Sequence, residues 1–210
     1  MEDILEVYQR PRNKHRPLVC LDEFCKQLLD EVRKPQPARP GQPERVDCEY
    51  VRKGSTSAFV IYAPLEGRRE VYVGKEGRRT RRDYALALEF IATKMFPKAE
   101  KIVLVEDNLN THDEASLYAT FPPAKARRLA QRFERHHTPK HGSWLNIAES
   151  EISALVRTGL KDRISSESEF RRQLRAVVKR RNREKSSTNW QFTNKKARVK
   201  LKNLYPSTQS

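Results

Sequence analysis

Three acidic residues are placed where their carboxylates could act together on one substrate. Asp22 closes a short apolar run, Asp107 follows a second apolar run, and Glu149 lies in an amphipathic segment. Carboxylate oxygens suit hard divalent cations such as Mg²⁺, which takes few protein ligands and keeps several waters. Two such ions roughly 3.5 to 4 Å apart assist an in-line displacement at phosphorus, because they activate the nucleophile and neutralise the leaving oxygen. The three acids therefore predict a metal site for phosphodiester chemistry.

The two aspartates follow segments whose patterns predict buried strands. Residues 17–22, PLVCLD, are short and rich in branched apolar residues, which favours a strand and places Asp22 within it or at its end. Residues 101–105, KIVLV, are apolar on both alternating faces, as in a central strand covered on both sides. Glu106 and Asp107 follow that strand at once.

Glu149 lies on a helix that we expect to begin at Trp144. The inward stripe of this helix is predicted to consist of Leu145, Ala148, Ile152, Leu155 and Val156. Glu149 lies at the edge of the stripe, whereas Glu151 points more nearly away. Of the two acids, Glu149 is therefore better placed to reach a buried site.

The segment between the first two acids begins with a loop and a hairpin. Residues 33–44, RKPQPARPGQPE, contain four prolines and a glycine, which predicts a long loop inside a domain. Two β-rich runs joined around residues 64–67 predict an antiparallel hairpin. Residues 82–96 change to a helical period, and this helix is expected to end before Pro97.

The segment between Asp107 and the third acid reads as helix, then strand and loop. A helical stretch from about 114 to 133 is interrupted at two prolines, and residues 136–143, HHTPKHGS, predict a short strand and a loop. The order of elements predicts an α/β domain with a mixed sheet flanked by helices.

The composition points to a polyanionic partner. Lys and Arg number 43 against 27 Asp and Glu, which gives a net charge of +16 and an isoelectric point near 10.0. No apolar run is long enough to span a bilayer, and the acidic start MEDILEVYQR lacks the order of a signal peptide. We expect a cytoplasmic protein that associates with nucleic acid and not with a membrane.

The last fifty residues form a basic module. Residues 161–202 hold 15 Lys or Arg against four acidic residues, a net charge of +11. A predicted helix over residues 167–185 places four apolar residues on one face and basic residues elsewhere, which favours contact with the DNA backbone over a merely solvated surface. The apolar face contains Phe170, Leu174, Val177 and Val178, and the predicted DNA contacts are Arg171, Arg172, Arg175, Lys179, Arg180 and Arg183.

Three cysteines stand outside this chemistry. Cys20, Cys25 and Cys48 form no CxxC pair, and their odd number fits reduced thiols better than a disulfide framework. Zinc bound by these thiols with His15 is a weaker alternative, because the spacing matches no common zinc site.

Three motifs carry the acids in one order. VCLDE surrounds Asp22, VEDNLNTH contains Asp107 with Asn108 and His112, and PKHGSWLNIAE ends at Glu149. In these motifs the sequence resembles DDE transposases, in particular the bacterial insertion-sequence branch of the mariner-like superfamily. That branch has an Asp on the first strand, an Asp followed by Asn and a nearby His, and a Glu closing a Leu-Asn-x-x-Glu run. The likeness extends to the Pro-rich loop, the hairpin and the tail QFTNKKARVKLKNLYP.

The resemblance implies a ribonuclease-H-like fold and a DNA transposase. Residues 1–160 would form the catalytic domain, and residues 161–210 a basic helical tail that completes it. Two Mg²⁺ or Mn²⁺ ions would be held by Asp22, Asp107 and Glu149. Water would then cut the end of the insertion sequence, and the freed 3′-hydroxyl would attack target DNA. Supporting roles are implied for Asn108, His112 and Asn146.

Two departures from the family pattern bear on these expectations. Asp107 and Glu149 are separated by 41 residues, a longer gap than in eukaryotic relatives, which we attribute to an extended helix around Pro122. Family members carry an N-terminal helix-turn-helix module that reads the transposon ends. Here only 21 residues precede Asp22. We expect an upstream reading frame, joined to this one by frameshifting, to supply that module as a fused or separate chain. The alternatives are that this is a fragment or a decayed copy. We also expect a homodimer on paired ends.

Several alternatives stay open at this point. Asn108 and His112 could shape a loop instead of contacting metal or phosphate. Trp144 could be a core or helix-start anchor or a platform for base stacking. Lys140 with His136, His137 and His141 could contact phosphate or form a solvated loop. For the whole chain, the rivals are an inactive transposase fragment that only binds DNA or a partner, and a non-enzymatic RNA-binding protein.

Overall fold

Five strands form one mixed sheet at the centre of the fold. A computed structural model describes residues 1–33, 35–107 and 113–205. The strands are β1 (Leu18–Glu31), β2 (Tyr50–Ala63), β3 (Arg68–Tyr72), β4 (Ile102–Glu106) and β5 (Phe133–His137). Their order in the sheet is β3-β2-β1-β4-β5. Strand β2 pairs antiparallel with β1 and β3, and β4 pairs parallel with β1 and β5. The predicted mixed sheet and the antiparallel hairpin are confirmed.

Strand β1 is much longer than the apolar run that predicts it. It continues to Glu31 because β2 pairs with it from Cys20↔Tyr62 to Glu31↔Tyr50, with a bulge between Gln27 and Leu29. The outer half of this pair is largely polar, so its extended conformation is held by the ladder and not by burial. The Pro-rich segment that follows is a loop with two isolated bridges among its described residues, as predicted.

Seven α-helices cover the sheet or its edges in the described part of the chain. They are α1 (Glu2–Gln9), α2 (Arg81–Phe90), α3 (Ala115–Thr120), α4 (Pro123–Ala130), α5 (Ile147–Gly159), α6 (Glu167–Arg183) and α7 (Asn194–Lys200). Short 3₁₀ turns occupy Lys75–Gly77, Ser143–Leu145 and Lys202–Leu204. None of the helices described is both long and apolar enough to cross a membrane.

Helix α2 shows how local sequence fixes both of its ends. Thr80 caps the first turn in a capping box with Asp83, in which each side chain accepts a hydrogen bond from the other residue's backbone N–H. At the other end the chain widens into a π-helical turn, Ile91–Met95, and stops at Phe96, before the proline that cannot continue it. The predicted end of this helix before Pro97 is confirmed.

Alternation along the strands divides the core into two faces. One face of the sheet packs on α2, α3 and α4, through residues such as Leu21, Phe59 and Leu104. The opposite face packs on α1, α5, α6 and the C-terminal segment, through residues such as Val60 and Val105. These two faces matter below because neighbouring residues on one strand serve different faces.

Two predicted element boundaries are wrong. The helical stretch ends at Ala130, and Phe133 begins β5, because Phe133 pairs with Ile102 in the parallel ladder. Helix α5 begins at Ile147 and not at Trp144, because Ser143–Leu145 forms a 3₁₀ turn and Asn146 is the N-cap. In both cases a tertiary contact or a cap overrides the local period.

Helix α6 matches its predicted apolar face. Phe170, Leu174, Val177 and Val178 are all buried, and they share a cluster with residues of β2 and α5. Gly159 lies so close to Val177 that an added Cβ would approach its Cβ to 2.7 Å. The close approach fixes the crossing of α5 and α6.

Candidate active site

Parallel pairing of β1 and β4 brings the two aspartates to the same edge of the sheet. The register pairs Cys20 with Val105, so Asp22 and Asp107 each lie two residues beyond a paired position. Side chains alternate along a strand, which gives Asp22 the same face as Cys20. That face is the one covered by α1 and α5.

Glu149 reaches this edge on the first turn of α5. Asn146 caps the helix, since its Oδ1 accepts a hydrogen bond from the Ala148 N–H at 3.1 Å. The same side chain donates from Nδ2 to the carbonyl of Leu21 at 2.9 Å, and Asn146 is fully buried. The start of α5 is thereby tied to β1 at the residue before Asp22. Glu149 itself is half-buried.

Tyr8 of α1 holds the turn that precedes α5. Its hydroxyl donates to the carbonyl of Leu145 at 2.7 Å and accepts from the Ile147 N–H at 3.3 Å. Its ring packs against Trp190 with centroids 5.2 Å apart. The N-terminal helix, which the sequence analysis did not single out, and the C-terminal segment thus both support the helix that carries Glu149.

The pKa of Asp22 responds both to its burial and to the other two acids. Burial raises the pKa of Asp22 from its ordinary 3.8 to about 7. The Glu23 N–H, which donates to its Oδ1 at 2.8 Å, acts in the opposite direction, and the negative charges of Asp107, Glu149 and Glu23 raise the pKa further. Three carboxylates within electrostatic range of a buried edge form a site that favours a positive charge.

The chemistry of these donors fits divalent metal, although their geometry is not that of a closed cage. Within residues 1–33, 35–107 and 113–205, no three His, Cys, Asp or Glu side chains form a ready metal-binding group. Burial is the main cause of the raised pKa of Asp22, and the neighbouring carboxylates add to it, so a bound cation would favour the ionised form. Hard oxygen donors of this kind are the ligands that Mg²⁺ and Mn²⁺ take.

Two of the predicted supporting residues cannot be placed. Asn108 and His112 lie outside the residues that the structure describes. The third, Asn146, lies between the first strand and the helix of Glu149, as described above.

The burial of Glu151 was not predicted from the sequence. Its side chain does not point to solvent: it is 3% exposed and lies between two arginines. Arg181 of α6 donates to its two oxygens at 2.7 and 2.9 Å, and Arg69 of β3 approaches at 2.9 Å. The burial was missed because α6 covers the face of α5 that lies away from the predicted stripe. Glu151 therefore joins α5 to α6 and β3 through ion pairs, on the side of α5 away from the aspartates.

A second buried cluster lies behind the end of β4, on the α2 face. Glu106 is fully buried, accepts hydrogen bonds from Arg135 of β5 at 2.5 and 2.8 Å, and accepts another from the Tyr84 hydroxyl at 2.6 Å. Burial, with the nearby Glu106 charge, raises the pKa of Tyr84 well above its ordinary value. The sequence contained a signal for this cluster, an acid that directly ends a fully apolar strand, but the partners are distant in sequence.

In the segment before α5, some predicted contact residues bond to other parts of the fold and others are exposed. His136 contacts Asp3 of α1 at 2.8 Å, and His137 Nδ1 lies 3.4 Å from the Asp107 carbonyl oxygen. Lys140 and His141 are exposed. Trp144 is 43% exposed and meets Phe192 edge-on, with centroids 6.0 Å apart. Trp144 is therefore not a core residue, whereas its prediction as a helix-start anchor or a stacking platform stays a prediction.

The basic residues of α6 also fall into two groups. Arg171 is engaged within the fold, since it donates to Glu167 and to the carbonyls of Val73 and Gly74. Arg172 pairs with Glu169, and Arg180 donates to the Thr158 carbonyl. The exposed residues at four-residue spacing are Arg175, Lys179 and Arg183. This spacing places the three on one side of the helix.

Comparison with solved structures identifies the fold. The chain matches the Mos1 mariner paired-end complex with Mn at a TM-score of 0.53 and 17% identity, over 88% of this chain and 56% of that chain. It matches the Mos1 transposase paired-end complex with left transposon end at 0.51 and 18%, over 88% and 57%. The Mos1 strand transfer complex gives 0.51 and 16%, over 92% and 60%. The chain thus spans less than two thirds of each of these proteins, and it shares their ribonuclease-H-like fold.

The family is given by a sequence model. No curated protein matches the chain. The model of the DDE superfamily endonuclease matches residues 17–171, which include all five strands, helices α2 to α5 and the three acids. The match covers well over half of the 210 residues. The chain belongs to the DDE superfamily endonuclease family.

Proposed function

We propose that this chain is the catalytic domain of a transposase that cuts and joins DNA strands of an insertion sequence, with Asp22, Asp107 and Glu149 as its metal-holding residues. The observation that carries the proposal is the placement of the two aspartates at one sheet edge, in electrostatic contact with Glu149. Family membership and the Mos1 likeness support the same reaction class.

In this proposal each residue contributes a defined part of the site. Asp22 presents its oxygens from within β1, two residues beyond the last pair with β4, Asp107 does so from the residue after β4, and Glu149 closes the site from α5. Two divalent ions, Mg²⁺ or Mn²⁺, would when bound supply the positive charge that activates the attacking oxygen and stabilises the leaving one. The positive charge of bound ions would offset the burial and the neighbouring carboxylates that raise the pKa of Asp22, so we expect this carboxylate to be ionised in the working state.

The DNA would lie across the face that carries α5 and α6. Arg175, Lys179 and Arg183 form an exposed basic row, which suits phosphate contacts without sequence preference. Lys140, His141 and the exposed ring of Trp144 lie on the loop that leads into α5, next to the proposed cleavage site. An aromatic face of this kind suits stacking on an unpaired base.

The proposal extends to the remainder of the assembly. Residues 161–210 would complete the catalytic domain, because α6 packs on α5 and β3 and contributes to their common core. The Mos1 structures are complexes of transposase with transposon ends, and by analogy this chain would act on paired ends as a homodimer with a helix-turn-helix part.

Nicking of supercoiled plasmid tests the function. The wild-type chain should nick with Mg²⁺ or Mn²⁺, and Asp107→Asn should reduce the rate by at least about 100-fold, because a ligand is lost from the site. Asp162→Asn changes the net charge equally at an exposed position and should nick like wild type. Unchanged nicking by the Asp107 variant would contradict the assignment.

Calorimetric titration with Mn²⁺ separates the enzyme from a basic protein that only binds nucleic acid. A metal site in the wild type that vanishes in Asp22→Ala supports the proposal. Equal binding by the two proteins would favour the non-enzymatic alternative.

A further inference from the structure

Three side chains form a closed triangle of hydrogen bonds directly behind the end of β4. Tyr84 donates to Glu106 Oε2 at 2.6 Å, Arg135 donates to Glu106 Oε1 at 2.5 and 2.8 Å, and Arg135 Nη2 lies 2.6 Å from the Tyr84 hydroxyl. The three residues come from α2, β4 and β5. The triangle therefore joins a helix and two strands at one point.

The backbone at the same point is also held. The Glu106 carbonyl accepts a hydrogen bond from the Thr138 N–H at 2.9 Å, and His137 Nδ1 lies 3.4 Å from the Asp107 carbonyl oxygen. Glu106 is thus fixed through its side chain on one side and through its main chain on the other. Because Asp107 follows it directly, the direction in which Asp107 leaves the strand depends on these contacts.

Stability alone gives little reason for a charged residue at this position. Glu106 is fully buried, and its neighbour on the same face of β4, Leu104, is apolar. Removing a carboxylate and a guanidinium from water costs about as much as their attraction returns, and apolar replacements of such pairs are often neutral or stabilising. What an apolar residue cannot provide is a directional hold by several hydrogen bonds from separate elements.

We infer that the triangle of Tyr84, Glu106 and Arg135 is a positioning device for Asp107. The inference rests on the proposed function, because it gives the triangle a role only if Asp107 holds metal. The proposed role is one of positioning, because the members of the triangle face α2, whereas the carboxylate site lies on the α5 face. It acts by fixing the end of β4 from behind.

Two tyrosine variants provide a matched test. Tyr84→Phe removes one hydroxyl from the triangle and leaves the ring in the core. Tyr62→Phe removes an equally buried hydroxyl, which contacts Ser186 and Thr188 away from β4. We expect similar melting temperatures for the two variants. Tyr84→Phe alone should weaken Mn²⁺ binding and slow nicking about tenfold, with an unchanged Kd for DNA.

A second variant and a readout without activity complete the test. Arg135→Lys keeps the charge but loses the two-pronged donor geometry, and it should resemble Tyr84→Phe. Hydrogen exchange at the Thr138 amide reports on the end of β4, and this exchange should be faster in Tyr84→Phe than in Tyr62→Phe. Equal Mn²⁺ affinity and equal Thr138 exchange in the two tyrosine variants would overturn the inference.

Failure of the proposed function gives a different result. In that case the Asp107→Asn protein nicks like wild type and Mn²⁺ binding does not depend on Asp107. Thr138 exchange still decides whether the triangle fixes the end of β4. Faster exchange in Tyr84→Phe supports the structural part of the inference, and equal exchange overturns it.

Discussion

The side-chain amide of Asn146 donates a hydrogen bond to the main-chain carbonyl of Leu21 across 2.9 Å of buried space. This bond joins the N-cap of α5 to β1 at the residue before Asp22. The separation between Glu149 and Asp22 is therefore set by one short connection between a helix start and a strand.

Loss of this connection should affect both stability and metal binding. Asn146→Ala removes the cap and leaves a buried carbonyl without its donor, which we expect to lower the free energy of unfolding by about 2 to 4 kcal/mol. Ser166→Ala removes the cap of α6, a cost of about 1 kcal/mol, away from the carboxylates. Urea unfolding with Mn²⁺ titration should show weaker metal binding for the Asn146 variant alone. Identical Mn²⁺ affinities in both variants would contradict the role of this bond.

Asp22 should make the metal-free protein less stable as pH rises. Its pKa is raised to about 7 in the folded state from an ordinary 3.8, so between these values the folded protein keeps a proton that the unfolded chain has lost. Stability therefore falls across this window and stays low above pH 7. Asp22→Asn should be more stable than wild type at pH 8, by about 4 kcal/mol at most, and equally stable near pH 3.

The same unfolding experiment is repeated with a control variant and with added Mn²⁺. Asp30→Asn, on the exposed part of the same strand, should show no such gain at pH 8. Added Mn²⁺ should stabilise wild type and leave Asp22→Asn unchanged. A pH-independent difference between wild type and Asp22→Asn would exclude the raised pKa as its cause.

Glu149 and Glu151 should respond in opposite ways to the same substitution. Glu151→Gln leaves two arginines without their shared carboxylate in the interior, which should lower the free energy of unfolding by about 3 to 5 kcal/mol. Glu149→Gln, at a half-buried position, should keep near wild-type stability and lose nicking. Urea unfolding and plasmid nicking measure the two effects. The assignment fails if Glu149→Gln nicks normally.

The exposed row on α6 should control DNA affinity and its salt dependence. Replacing Arg175, Lys179 and Arg183 by Ala should weaken binding at low salt and reduce the slope of log K against log salt by about 2 to 3. The control triple is Lys94, Lys98 and Arg127, which are exposed near the helices of the opposite face. Fluorescence anisotropy over a salt series compares the two. Equal slopes for both triples would show that α6 is not the DNA-binding surface.

The sequence alone determined the elements and the candidates. Local patterns predicted the strand of Asp22, the central strand before Asp107, the hairpin, the end of α2 and the apolar face of α6, because burial leaves a period of two or 3.6 in the chain itself. Residue type and order marked the three acids.

The tertiary structure decided what lies between those elements. The register of β1 against β4, which sets Asp22 beside Asp107, is a pairing between residues more than eighty positions apart and leaves no local signal. The burial of Glu151 follows from α6 packing over α5, which the period of α5 cannot show. The triangle around Glu106 depends on side chains from three separate elements. Such contacts are non-local, so only the folded chain could bring Asp22, Asp107 and Glu149 to one edge and reveal what holds them there.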